Sequence, residues 1–113
     1  MGWGGGGMAT DLQIEVVRSG TEVVLSGRLD ARSAPVARAL LHDIVAAGVG
    51  DLQLQVGRLE IWDASGLGVL VGANRRARQA GRRLVLTDVP PRQLRLLRAT
   101  RLHRLLTVEP AVA

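Results

Sequence analysis

From Leu12 onward the chain alternates. Leu12, Ile14 and Val16 interleave with Gln13, Glu15 and Val17, the period-2 pattern of a half-buried strand. Ser19-Gly20 marks a turn, and Val23, Val24 and Leu25 fill a second strand over residues 21–26, so the two form an antiparallel hairpin. Gly27 and Asp30 are expected to end that strand. The spacing then changes. Asp30 or Ser33 can cap a helix, Pro35 suits its first turn, and Val36, Leu40, Ile44 and Ala47 recur at helical intervals before Gly48. Leu52, Leu54 and Val56 return to period 2 as a third strand over residues 52–56, followed by a connector over 57–62.

A second helix is predicted over residues 64–80, with Leu67, Leu70, Val71 and Ala77 on one face and Gly81 as its stop. Residues 83–88 supply a fourth strand. Pro90 and Pro91 open a third helix carrying Leu94, Leu97 and Leu102, and residues 105–108 form a last edge strand. The order is ββαβαβαβ. Helices between strands at these lengths imply parallel pairing by crossover connections after the initial hairpin. The expected fold class is therefore α/β, one domain with a mixed four- to five-stranded sheet and helices packed against it. Its bounds are 11–110. Residues 1–10 show neither period and are expected to be a disordered leader, and 111–113 a short tail.

Composition narrows the chemistry. The hydrophobic share is 47%, yet Phe and Tyr are absent and only Trp3 and Trp62 are aromatic, so Leu and Val must fill the core. There is no cysteine, which removes disulfides, thiolate metal sites and cysteine nucleophiles. The leader lacks the basic and apolar regions of a signal peptide, and no apolar run is long enough to span a membrane. A cytoplasmic protein without membrane insertion is expected. The formal charge is +5 and every basic residue is Arg. A GC-rich coding bias explains that preference more simply than a polyanionic partner.

Arg92, Arg95, Arg98, Arg101 and Arg104 recur every three residues and form a basic stripe, read as a solvated helix face. A docking site for an acidic surface or nucleic acid is the rival account. No aromatic residue interleaves with these arginines, so direct nucleic-acid binding is not expected. His42 and His103 have no metal-type spacing. Neither a Gly-x-Ser-x-Gly elbow nor a phosphate-binding glycine loop is present, and Gly66-Leu-Gly68 is only a fragment of one. No enzymatic activity, cofactor or metal is expected.

The sharpest local feature is Asp63-Ala-Ser-Gly-Leu-Gly-Val-Leu-Val-Gly72, lying beyond a strand at the start of a helix. Asp63 is placed to be the N-cap, and Ser65 falls in the first turn, where free backbone N–H groups and the positive end of the macrodipole tolerate a phosphate. Gly66 and Gly68 remove side chains beside it. Taken alone, a serine near a helix start is more often a simple capping residue than a modification site.

This segment resembles the signature of STAS domains, the family named for sulfate transporters and anti-sigma factor antagonists. Gly27-Arg-Leu-Asp30 with Ser33-Ala34 is similar to that family's entry to its first helix, and Leu97-Arg-Ala-Thr-Arg-Leu102 to the close of its third. The resemblance implies a cycle. The unphosphorylated protein binds an anti-sigma factor that is also a serine kinase, and so frees a sigma factor. The kinase then phosphorylates the serine and the complex parts, until a serine phosphatase reverses the modification. Carried over by position, Ser65 is the phosphoacceptor, and Asp30, Ser33, Asp63, Ala64, Gly66 and Gly68 share the partner-binding face with it. Alternatives are a STAS subunit of a membrane transport or lipid-trafficking complex, and a small basic nucleic-acid-binding protein. Three positions depart from the family's pattern. Gly57 stands where many relatives have Asp, Arg101 replaces a usual Gly, and Trp62, read as a core plug in preference to an exposed contact anchor, precedes Asp63.

Overall fold

The computed structural model describes residues 11–112; the expected leader lies outside the described residues, as does Ala113 of the tail. The elements run β1 (Gln13–Arg18), β2 (Glu22–Leu29), α1 (Ala34–Ala47), β3 (Leu52–Ile61), α2 (Ala64–Gln79), β4 (Leu84–Val89), α3 (Pro91–Ala99), a 3-10 turn (Leu102–Arg104) and β5 (Thr107–Pro110). The sheet order is β1-β2-β3-β4-β5, with β1 antiparallel to β2 and every later pair parallel. Parallel neighbours taken in chain order, joined by right-handed crossovers, put the helices on one face of the sheet. The expected α/β class, element order and mixed sheet are all present, with five strands.

The core lies between that face and the helices. Val23, Leu25, Leu52, Leu54, Val56 and Leu86 point inward from the strands and are fully or almost fully buried. Alternation puts Glu22, Gln53, Gln55 and Thr87 on the opposite face, together with Val24 and the buried Val85, so that face is mixed and more polar than the core face.

Several boundaries differ from the pattern-based expectation. Gly27 does not break β2: it pairs with Leu59 in the ladder at a φ of 91°. A side chain there would collide with the Asp11 carbonyl oxygen, so glycine permits the strand to continue where another residue would stop it. β3 likewise runs through the expected connector to Ile61, crossing a register shift opposite Val24 and Ser26. Gly57 sits within it, and the space a side chain would take is filled by the Asp88 carboxylate.

The buried face of α1 is also displaced. Ala34, Ala37, Leu41 and Val45 face the core, whereas Val36 and Leu40 are exposed. On α2 the buried set is Gly66, Val69, Leu70, Ala73, Asn74 and Ala77, so Leu70 and Ala77 are inside as expected while Leu67 and Val71 lie at the margin. The five arginines of the basic stripe are all exposed.

A buried cation fastens one end of the domain. Arg82 is 4% exposed, and its guanidinium donates to four carbonyl oxygens: Gly50 (2.8 Å), Val45 (2.9 Å), Ile44 (3.2 Å) and Gly20. Two of these belong to the last turn of α1, whose carbonyls have no intrahelical partner, and the negative end of the helix dipole faces the charge. Gly20 and Gly50 lie two residues before the starts of β2 and β3. One side chain thus gathers the loops at the N-terminal ends of the parallel strands, the end opposite the segment that carries Ser65.

Candidate functional site

The site is built where two loops leave the C-terminal ends of neighbouring parallel strands. Leu29 and Ile61 are register partners at the ends of β2 and β3, and the Trp62 N–H donates to the Leu29 carbonyl at 3.0 Å. Beyond this point the chain turns into α1 on one side and α2 on the other. Such a crevice outside the carboxyl ends of parallel strands is where α/β sheets carry their sites.

Asp63 links the two loops. Its backbone is extended (φ −158°), its Oδ1 accepts from the Gly66 N–H at 3.2 Å, and its Oδ2 accepts from the Ala31 N–H at 3.1 Å. The first bond is the N-cap expected from sequence. The second is not a cap, since it reaches across to the β2–α1 loop. No sequence signal marks Ala31, because the contribution comes from its backbone.

That loop has its own internal frame. Asp30 Oδ1 accepts from the N–H groups of Arg32 (2.9 Å) and Ser33 (3.1 Å), an Asx-type turn. The Ser33 amide bond, aided by that of Arg32, holds the Asp30 carboxyl below the usual aspartate range against a smaller opposing effect of desolvation. Ser33 is fully buried. Its hydroxyl accepts from the Asp30 N–H and donates to the Arg28 carbonyl, both at 3.0 Å. It holds the N-cap position of α1 without a side-chain cap bond; the choice between Asp30 and Ser33 as cap resolves as a shared turn.

Ser65 is the second residue of α2 and is half-buried, and its hydroxyl has no protein hydrogen-bond partner among the described residues. Asp63 and Ala64 beside it are exposed. The two neighbouring glycines differ. A Cβ at Gly66 would come within 2.7 Å of the Leu29 carbonyl oxygen, so this glycine lets α2 start hard against the end of β2 and is buried. Gly68 is exposed, with only the Arg38 guanidinium near, at 4.0 Å from where a Cβ would be. Of the seven site residues expected from sequence, Asp30, Asp63, Ala64, Ser65 and Gly68 reach the surface, and Ser33 and Gly66 shape the loops from within.

Trp62 is not a core plug. It is 58% exposed, its Nε1 donates to Glu60 at 3.2 Å, and the Arg28 guanidinium lies 4.2 Å from the ring centroid. A cation over the ring favours this exposed position of the indole, adjacent to Asp63 in the chain. Sequence inspection missed Arg28, which lies inside the Gly27-Arg-Leu-Asp30 segment. Among the described residues no three His, Cys, Asp or Glu side chains gather as a metal site would require, and no helix is long and apolar enough to cross a membrane.

The chain belongs to the STAS domain family: the family model described as "Mlab, STAS domain" matches residues 12–107. Among individual proteins, it is 28% identical over 101 residues to the anti-sigma-B factor antagonist of Bacillus subtilis strain 168, covering 89% of this chain and 92% of that one. The phosphorylated form of the Bacillus cell fate determinant SpoIIAA has the same fold, with a TM-score of 0.63 at 23% identity over 86% of this chain and 89% of the other. A sulfate transporter family protein from Wolinella succinogenes shares it too, with a TM-score of 0.71 at 20% identity over 87% and 83%.

Proposed function

We propose that this chain is an anti-sigma factor antagonist controlled by phosphorylation of Ser65. In the unphosphorylated state it binds an anti-sigma factor that is also a serine kinase, which releases a sigma factor to transcription. The observation that carries the reading is the placement of Ser65: in the first turn of α2, reaching the surface, its hydroxyl unengaged, beside a cap that fixes the turn. Kinship with the Bacillus subtilis antagonist supports it.

The antagonist itself performs no catalysis and needs no cofactor or metal. It supplies the Ser65 oxygen, which attacks the γ-phosphorus of ATP in the kinase site; ADP leaves, and the hydroxyl proton passes to the kinase. The product carries about 1.5 to 2 added negative charges at neutral pH. The helix N-terminus accommodates that charge, whereas an acidic partner surface does not. A serine phosphatase resets the switch. Asp30, Asp63, Ala64 and Gly68 form the docking face around Ser65, with Trp62 as a surface anchor. The protein acts in the cytoplasm without contacting nucleic acid. As domain bounds we propose 11–110, with a leader before and a short tail after.

Incubation with a cognate anti-sigma kinase and ATP, followed by mass spectrometry, tests this. One added phosphate that Ser65→Ala abolishes is the expected result, and Ser65→Asp should weaken the complex while its circular dichroism matches the parent. An unfolded Ser65→Asp variant would contradict the first-turn placement. A second reading draws on the family model's own description and the transporter-family neighbour: a STAS subunit of a membrane transport or lipid-trafficking complex. No phosphate transfer from a kinase proven to bind the chain would favour it.

A further inference from the structure

Arg38 is an exposed cation to which the described residues bring no carboxylate. The salt bridges among them are Arg18–Glu22 and Arg83–Asp51. On α1 the positions three and four residues to either side of Arg38 hold Pro35, Ala34, Leu41 and His42, none of them acidic. Its Nη2 instead reaches toward α2. It lies 4.0 Å from where a Cβ of Gly68 would be, the one neighbour from another element at that point among the described residues.

Ser65 precedes Gly68 by three positions, and helical Cβ atoms so spaced lie about 5 to 6 Å apart. The Arg38 guanidinium is therefore within about 10 Å of the Ser65 Cβ. The direction is favourable too. At 100° per residue Ser65 falls within about 20° of the line along α2 through Gly72 and Arg76. That line faces α1, since Arg76 Nη1 is 2.8 Å from His42 Nδ1. Both helices begin just after the ends of the parallel strands β2 and β3, and long helical side chains lean toward the N-terminus of their own helix. Arg38 thus leans toward the end where Ser65 sits, and Gly68 places no side chain in the way.

We propose that Arg38 binds the phosphate of phosphorylated Ser65 within the same chain. The phosphoryl group extends the serine side chain by two bonds, and rotation of the exposed Arg38 side chain closes the remaining gap. The guanidinium fork takes two phosphoryl oxygens, while the first-turn N–H groups of α2 face the same charge. Before phosphorylation that guanidinium is free for a carboxylate of the partner. One modification then adds an anion to the docking face and withdraws a cation from it. The inference rests on the proposed function for the phosphorylated state and adds the residue that receives the phosphate.

The test uses the full chain with phosphoserine incorporated at position 65 during translation, so no kinase enters it. Phosphorus NMR titrates the second ionisation of the phosphate at about 0.15 M ionic strength. A cation beside the phosphate favours the dianion, so Arg38→Gln should raise that pKa by about 0.5 or more. Arg38→Lys keeps the charge without the fork and should raise it less. Arg32→Gln in the β2–α1 loop and Arg76→Gln further along α2 should each move it by less than about 0.2. Asp63 opposes the dianion but is common to every variant. The Arg38 Nε–H resonance should also shift between the unmodified and phosphorylated chains above the phosphate pKa. An Arg38→Gln pKa equal to the parent's, an equal rise from Arg32→Gln or Arg76→Gln, or an unmoved Arg38 resonance would each overturn the inference. Any of these leaves the kinase reaction on Ser65 standing, and a failed kinase reaction leaves this titration standing.

Discussion

The Asp63 carboxylate and the Ala31 amide meet at 3.1 Å across 32 positions of sequence. With the Gly66 cap on its other oxygen, Asp63 fixes the start of α2 and the β2–α1 loop as one unit. Removing it should therefore cost more than a cap. Asp63→Ala is expected to lower stability by about 1 to 2 kcal/mol in urea denaturation. It should also broaden or shift the Ala31 and Arg32 amide resonances. Asp63→Asn retains one acceptor oxygen and should lie between. If the Ala31 resonance is untouched in Asp63→Ala, the two loops are not coupled through this side chain.

Acid should loosen the same region from the other side. The Asp30 carboxyl is held below its ordinary range in the folded protein, chiefly by the Ser33 amide, so the ionised form is the one the loop binds. Its contribution is fully present above the unfolded pKa, ~4. It falls away as pH drops through the lower folded value. Amide exchange at Arg32 and Ser33 should accelerate beyond its intrinsic pH trend below about pH 4. In Asp30→Asn that excess should vanish.

Arg101 has φ 61° and ψ 14°, left-handed backbone that costs a residue with a Cβ roughly 1 to 2 kcal/mol. This is the position where the family pattern has glycine, and the geometry gives the reason. Arg101→Gly is predicted to raise stability by about 1 kcal/mol, the relief being partly offset by the added freedom of the unfolded chain. A midpoint that falls would mean the Arg101 side chain contributes contacts beyond its strained backbone.

The buried Arg82 should dominate any scan of the arginines. Arg82→Met keeps the bulk but leaves four carbonyl oxygens without their shared donor, and a loss of about 3 kcal/mol is expected. Arg83→Met, one position along, removes only an exposed pair with Asp51 and should change the midpoint little. Comparable effects from the two would contradict the role assigned to Arg82.

Much of this was legible in the residues. Element order, sheet type, the Asp63 cap and the helix-start position of Ser65 follow from periodicity and turn chemistry. Where pattern failed, the causes are specific. In α1, Leu40 and Leu41 are adjacent, so two helical stripes fit equally well. Large side chains marked the Val36, Leu40 line, while the helix buries the line whose alanines allow close approach. Gly27 and Gly57 read as interruptions because the contacts that require them, with Asp11 and Asp88, are distant in sequence. Trp62 reads as a core residue in preference to a surface anchor, and its place outside comes with partners, Arg28 and Glu60, that no local rule identifies. Arg82 gave no signal, since its partners are backbone atoms from three separate segments.

The Arg82 anchor has a further consequence for signalling. It clamps the base of the sheet, at the end opposite Ser65, so under the switch proposed above a charge added at the tip would need no rearrangement of the body to be felt. The output of that proposed device would be a change of surface potential on a fixed frame, sensed by a partner as repulsion. Information would then travel through space between two proteins instead of through the interior of one.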